Sequence, residues 1–415
     1  MVEILTIFTI VSVILFFGLL AEFIYKRFNI PDILLLVLMG LFLGPFGFKL
    51  ISLNNISEFA PIFTTFALLF IMFDGAFDIN LSSFAKGLVN SLNITVFNFL
   101  ISYFTISILL ILFGYDFSTS VILGGVLGGI SSAFVIPILN KIKVTKETYT
   151  TLIFESAFTD ILCIVFALTA LEIFTLDTFN LRVIASKVFT TFAVAGIIGV
   201  LAGIIWIALV LKIFREQKSY MITIAYLLLI YVLTEYLNGN GAIAALFFGI
   251  MLKNSKELRE LYQSIISKDD DTFYTKGTNF TSATTPTEEF FYHQISFFLK
   301  TFFFVYIGLL LDISNIKLLI VGAVIAAAIV LVRKSCSILT KKLPKFDRNI
   351  INSTFGRGLA AAVLAQYVSQ FNIPGAEQVP QLATTIIVFS ILFSSIMVFI
   401  AIGNVRNTNL ADKNV

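Results

Sequence analysis

The chain has 415 residues, 58% hydrophobic and 13% charged, with 46 Phe and a mean hydropathy of +0.97. This composition excludes a soluble globular domain, and apolar runs near the length of a bilayer span recur throughout, so the sequence reads as an all-α polytopic membrane protein. The net charge of +3 says nothing by itself about partners, and no nucleic-acid partner is expected; two cysteines, Cys163 and Cys336, are too few for a disulfide framework or a cysteine metal site.

From the N-terminus, Met1 to Leu5 carries no basic segment ahead of its apolar run and reads as the start of a retained first helix rather than a signal peptide. Thirteen candidate spans are predicted, over 4–22, 32–49, 60–76, 91–113, 119–139, 150–173, 184–211, 219–236, 241–252, 295–311, 316–333, 350–370 and 379–403. All belong to one transmembrane domain. It divides into spans 1–4 (1–113), two ion-site spans (114–175), a linking span (176–215), spans 8–10 with a loop over 254–293 (216–312), and spans 11–13 (313–403), followed by a tail over 404–415. Six spans on either side of the seventh suit inverted repeats with broken, crossing helices, the common build of secondary transporters.

Charge sets an orientation. With the N-terminus outside, inward loops and the tail hold 22 of the 28 Lys and Arg, against four outside (Lys49, Arg182, Lys187, Lys317); Lys300 and Arg357 fall in or beside spans. That asymmetry predicts a multi-pass cell-membrane protein with a cytoplasmic C-terminus. The 254–293 loop, with Asp269-Asp270-Asp271 and a Ser/Thr-rich stretch, reads as a solvated linker or a regulatory element, and the lone histidine, His293, as a membrane-interface residue at its end. Lys300 is explained by snorkelling.

The sixth span holds the most informative residues. Asp160 lies in Phe154-Glu155-Ser156-Ala157-Phe158-Thr159-Asp160-Ile161-Leu162, otherwise fit for lipid. A carboxylate at that depth costs roughly 2.5–3.5 kcal/mol on insertion scales, so one retained there reads as an ion or proton carrier; the alternative is a neutral acid or a packing ion pair. Residues four apart share a helix face, which stacks Glu155 on Thr159 and Ser156 on Asp160 and suggests one polar stripe. Oxygen ligands of this kind suit a small hard cation such as Na⁺ at Asp160. When the cation leaves, a bare carboxylate in a low-dielectric site favours a proton in its place, so competition is itself an exchange mechanism.

Two neighbouring carboxylates call for a cation. Arg357, opening the small-residue run Gly356-Arg357-Gly358-Leu359-Ala360-Ala361-Ala362, is the expected partner of Glu155, with snorkelling at a helix end as the alternative. The fifth span, Gly124-Gly125-Val126-Leu127-Gly128-Gly129-Ile130-Ser131-Ser132, suggests a break near Ile130 to Ser132 that frees backbone carbonyls for a cation, or else a close-packed unbroken helix. Asp74, inside or near the end of the third span, completes the site, lines its access route or, like Asp78, is simply an interfacial acid.

These residues resemble the monovalent cation:proton antiporters, in particular the NhaP-like branch. The similarity runs over spans 2 to 12: Phe28-Asn29-Ile30-Pro31 with Gly40-Leu41-Phe42-Leu43-Gly44-Pro45, Glu155-Ser156-x-x-Thr159-Asp160, Phe302-Phe303-Phe304-Val305-Tyr306-Ile307-Gly308-Leu309, and Arg357-Gly358. The resemblance implies alternate binding of cation and proton at Asp160, and a Glu155 to Arg357 ion pair. It also implies Ser156 and Asp74 as further ligands, and a homodimer in which a core domain moves against a dimer domain; the polar stripe adds Thr159, and the fifth-span break adds Ser131 and backbone Ile130, as candidate ligands. No cofactor is expected beyond the transported Na⁺ (or Li⁺) and H⁺, and the lipid bilayer is the medium. Two positions depart from the family pattern: Thr159 replaces an Asn, and Ile130-Ser131-Ser132 replaces a Thr-Asp-Pro. With a single Asp after Thr159, exchange is expected to be electroneutral and one-for-one.

A K⁺/H⁺ antiporter on the same fold is the nearest alternative. An intramembrane aspartyl protease using Asp74 and Asp160 is the alternative from another class, although the Gly-x-Gly-Asp context of such enzymes is absent; a channel is disfavoured because no repeated filter is seen.

Overall fold

A computed structural model describes residues 2–28, 32–51, 60–78, 81–139, 142–175, 181–212, 220–258, 284–371 and 373–411. The signature residues Asn29 to Pro31, Lys141, most of the 254–293 loop and the last four residues of the tail lie outside these. The described chain is helical: α1 (Val2–Phe28), α2 (Asp32–Leu43), α3 (Ala60–Gly75), α4 (Leu81–Leu112), α5 (Phe117–Leu127), α6 (Ser132–Leu139), α7 (Lys146–Thr175), α8 (Leu181–Lys212), α9 (Tyr220–Tyr236), α10 (Gly241–Lys253), α11 (Pro286–Leu310), α12 (Ile316–Arg333), α13 (Lys345–Ser353), α14 (Leu359–Val368) and α15 (Val379–Ala411). Among the described residues, six stretches are long and apolar enough to cross a bilayer, and seven shorter apolar helices accompany them. Two of the predicted spans are each divided into a pair of short helices, α5/α6 and α13/α14.

The chain forms two compact units, one of residues 1–65, 87–178 and 298–415, the other of 66–86 and 179–297. In the first, α5 and α6 pack on α7, and α12, α13 and α14 on α15. Here α2 and α11 also cross closely at glycine: a Cβ built on Gly40 would meet the Gly308 Cα at 2.8 Å, and the converse holds for Gly308. Only glycine at both positions permits this approach. In the second unit α10 packs on α8 and α9, and Phe73, Phe77, Phe248 and Tyr292 form an aromatic cluster, with Phe73 stacked on Phe248 at 5.6 Å.

The tenth span begins earlier than its apolar run. Thr285 Oγ1 accepts from the Glu288 N–H (3.3 Å), and Glu288 Oε2 accepts from the Thr285 N–H (2.7 Å). This reciprocal capping box in Thr285-Pro286-Thr287-Glu288, with proline at the first helical position, starts α11 nine residues before the predicted 295. His293 is therefore a helical residue of α11 and not the end of a loop.

Candidate functional site

The break between α5 and α6 covers Gly128 to Ser131, and that between α13 and α14 covers Thr354 to Gly358. Paired glycines, weak helix formers, open the first, and Gly356 and Gly358 lie in the second. The two breaks cross: the Ser131 N–H donates to the Gly356 carbonyl (2.9 Å), and Gly358 lies directly against the Ser131 side chain. Helix interruption at membrane depth is tolerated only where the freed backbone groups find partners, and both breaks are supplied. The Ile130 N–H donates to Thr159 Oγ1 (3.1 Å). Ser394 Oγ accepts from the Phe355 N–H (3.1 Å) and donates to the Ser353 carbonyl (2.6 Å), while Ser390 Oγ accepts from the Arg357 N–H (3.0 Å). Ser390 and Ser394, four apart and both fully buried, thus turn one face of α15 into a cradle for the second break.

Arg357 is buried, and its guanidinium donates to the Gly129 carbonyl, just past the carbonyl end of α5. Its charge stabilises the negative pole of that half-helix. The expected Glu155 to Arg357 pair is not what the structure contains. Glu155 is gripped by both guanidinium nitrogens of Arg333, with Nη2 to Oε2 at 2.8 Å, and Asn98 Nδ2 donates to its Oε1 at 3.0 Å. Arg333 Nε in turn donates to the Ile351 carbonyl at 2.9 Å. Glu155 is 0% and Arg333 4% exposed, so this is a fully desolvated, doubly hydrogen-bonded pair.

Arg333 is one of the 22 cations that the charge asymmetry places in the inward loops and tail, because it follows an apolar run and precedes Lys334. Its distinguishing signal is its place in the last turn of α12, still within reach of the core. The geometric reason for the correction is rotation along α7. Glu155 and Asp160 are five residues apart, about 140° around the helix, so the predicted single stripe is two: Glu155 turns to α12 and Asp160 to the break.

Asp160 is partly buried and accepts one long hydrogen bond, from Ser132 Oγ at 3.4 Å. Among the described residues no Lys, Arg or His pairs with it. Thr159, buried on the same turn, accepts from Ile130 N–H and donates to the Ser156 carbonyl (3.3 Å) or the Ile130 carbonyl (3.4 Å). Ser156 Oγ donates to the Ile153 carbonyl at 3.0 Å. The serine hydroxyl that reaches Asp160 is that of Ser132; Ser131 engages the second break instead. Gly129 is needed here, because a Cβ would meet Cys163 Sγ and Thr159 Cβ, both at 2.8 Å.

Two further charged residues singled out by the sequence, Lys300 and Asp74, are paired. Lys300 does not snorkel; its Nζ lies 2.7 Å from Asp32 Oδ2 at the start of α2. In the second unit Asp74 Oδ1 lies 2.7 Å from His293 Nδ1. His293 was read as a simple interface residue because its acidic neighbour is more than 200 residues away in the chain.

Residues 11–402 match the sodium/hydrogen exchanger transmembrane family. The chain is 24% identical over 383 residues to Na⁺/H⁺ antiporter 1 of Methanocaldococcus jannaschii, covering 88% of this chain and 83% of that one. It is 23% identical over 379 residues to the K⁺/H⁺ antiporter NhaP2 of Shewanella oneidensis, covering 88% of this chain but only 61% of that one. In fold it superposes on the sodium proton antiporter MjNhaP1 from M. jannaschii at pH 8 with a TM-score of 0.71 at 21% identity, over 96% of both chains. An all-helical fold with crossing broken helices and a match spanning nearly its whole length show that this chain belongs to the transmembrane sodium/hydrogen exchanger family.

Proposed function

We propose that the protein is a secondary antiporter that exchanges Na⁺ (or Li⁺) for H⁺ one-for-one, by competition of cation and proton for Asp160 during alternating access. One observation carries this reading: of the two carboxylates on α7, Glu155 is consumed by Arg333, whereas Asp160 holds a single long hydrogen bond beside a broken helix. A cation there would take oxygen from Asp160, from the Ser132 hydroxyl and from the carbonyls of the break around Ile130, with Ser131, Ser156 and Thr159 positioning them. Asp74 is retained as a group of the ion route on the resemblance of its sequence position alone. Thr159 carries no second ionisable group, so each turnover moves one charge in each direction. The 22-to-4 cation asymmetry supports an N-terminus outside and a cytoplasmic C-terminus in the cell membrane, and the family resemblance supports a homodimer.

Proteoliposomes test both stoichiometry and selectivity. Under an imposed membrane potential with no ion gradient, internal pH should stay constant; potential-driven proton movement counts against one-for-one exchange. A pH-gradient assay with Na⁺, Li⁺ and K⁺ in turn should respond to the first two. A response to K⁺ alone selects the second reading, a K⁺/H⁺ antiporter, which Ile130-Ser131-Ser132 in place of the family's Thr-Asp-Pro favours.

A further inference from the structure

At one end of the first unit, two basic loops almost 200 residues apart in sequence are fastened together. The Thr145 N–H donates to Asp347 Oδ2 at 2.9 Å, and the Thr145 hydroxyl donates to the same oxygen. Ile142 and Val144 from one loop, and Leu343 and Phe346 from the other, pack on a shared apolar cluster that includes Leu152, Ile350 and Ile351. Asn352 Nδ2 donates to Ser337 Oγ at 2.7 Å, tying the 334–338 turn to α13.

The fastened surface is strongly cationic. Lys334, Lys341, Lys342 and Lys345 are exposed and Arg348 is half-exposed, and the other loop adds exposed Lys143 and Lys146. The acids in the same stretches are Glu147 and Asp347, and Asp347 is buried in its bond to Thr145. Between the cations stand Ile338, 64% exposed, and Leu339, 45% exposed, with Tyr149 exposed on the first turn of α7.

A soluble acidic partner matches the charge but leaves those two aliphatic side chains in water. A headgroup with acyl chains below it matches both, because apolar side chains sink beneath a layer of lysines at a bilayer boundary. We propose that this shelf, built jointly from residues 143–149 and 334–348, binds anionic phospholipid headgroups. Because Asp347 and Arg333 tie the shelf to the start of α7 and to Glu155, headgroup binding braces the helix that carries Asp160.

The test is titration of the full-length chain in detergent with phosphatidylglycerol, reading the thermal unfolding midpoint. Removing a cation near an anionic surface weakens binding roughly fivefold, so K143Q/K341Q/K342Q/K345Q should need more than about tenfold more lipid for half of the midpoint shift. The all-arginine counterpart, K143R/K341R/K342R/K345R, should titrate like the parent, as should K49Q/K317Q, which removes exposed cations elsewhere. I338N/L339N should weaken the titration, and phosphatidylcholine should give no comparable shift. The proposal is overturned if the four-lysine glutamine variant titrates like the parent or phosphatidylcholine matches phosphatidylglycerol. It is equally overturned if inositol hexakisphosphate, charge without acyl chains, gives the full shift, or if I338N/L339N leaves the lipid titration unchanged.

Discussion

Glu155 and Asp160 are the same kind of group on the same helix, yet their surroundings are opposite. Glu155 is sealed from solvent and held by Arg333 and Asn98, so its charge is fixed in a network linking α4, α7 and α12. Asp160 keeps partial access and one long contact to Ser132. A carboxylate with a permanent cation cannot exchange ligands cheaply, and one without a permanent cation must find a mobile one. Under the function proposed above, the first residue serves structure and the second transport.

The sharpest way to break that contrast is Asp160→Asn. The expected outcome is loss of cation-coupled proton flux to the level of protein-free vesicles, with an unchanged unfolding midpoint, because the amide still accepts from Ser132. Loss of folding together with flux would contradict the division of roles.

Glu155→Gln and Arg333→Met should do the reverse. Each leaves a buried charge without its partner and should destabilise by about 3–5 kcal/mol, whereas the double variant should recover much of that loss. Thermal or denaturant unfolding of the three variants forms a double-mutant cycle; additive losses would mean that the pair is not coupled. Arg357→Met in the Glu155→Gln background should add its own loss, since Arg357 serves the Gly129 carbonyl.

Thr159→Val should cost about 1–3 kcal/mol by leaving the buried Ile130 N–H unpartnered. Thr159→Asn, which restores the family's usual residue, should retain antiport. Measuring unfolding and flux on both separates the hydrogen bond to the break from any direct role at the ion.

The smallest effect is expected from Ser132→Ala. It removes one neutral contact to Asp160 and should raise the Na⁺ concentration for half-maximal exchange by about two- to tenfold, with little change in stability. An unaltered Na⁺ dependence would remove Ser132 from the site.

Much of this was legible in the residues. The glycine and serine run predicts the fifth-span break near Ile130 to Ser132, and the structure breaks at Gly128 to Ser131, because glycines at 128 and 129 weaken the helix before the serines do. The second break was less visible. Its flanks are the polar, amphipathic α13 and the alanine-rich α14, and what holds it open is Ser390 and Ser394 on a helix further along the chain. The early start of α11 is encoded in Thr285-Pro286-Thr287-Glu288, a polar, capped first turn that hydropathy does not register. The sequence points to Ser131 and the structure to Ser132, because spacing alone does not say which of two adjacent hydroxyls turns to α7.

By itself the sequence determined that the chain spans a membrane many times, that a carboxylate is retained within the sixth span, and that the fifth span carries a glycine and serine run able to break it. These follow from local chemistry: apolar length, the cost of a charge in lipid, and the backbone freedom of glycine. Only the tertiary structure decided that Glu155 belongs to Arg333, 178 residues away, and that Arg357 belongs to a broken-helix carbonyl. Helical periodicity fixes the direction in which a side chain leaves its own helix, but which helix stands there depends on packing across the whole chain.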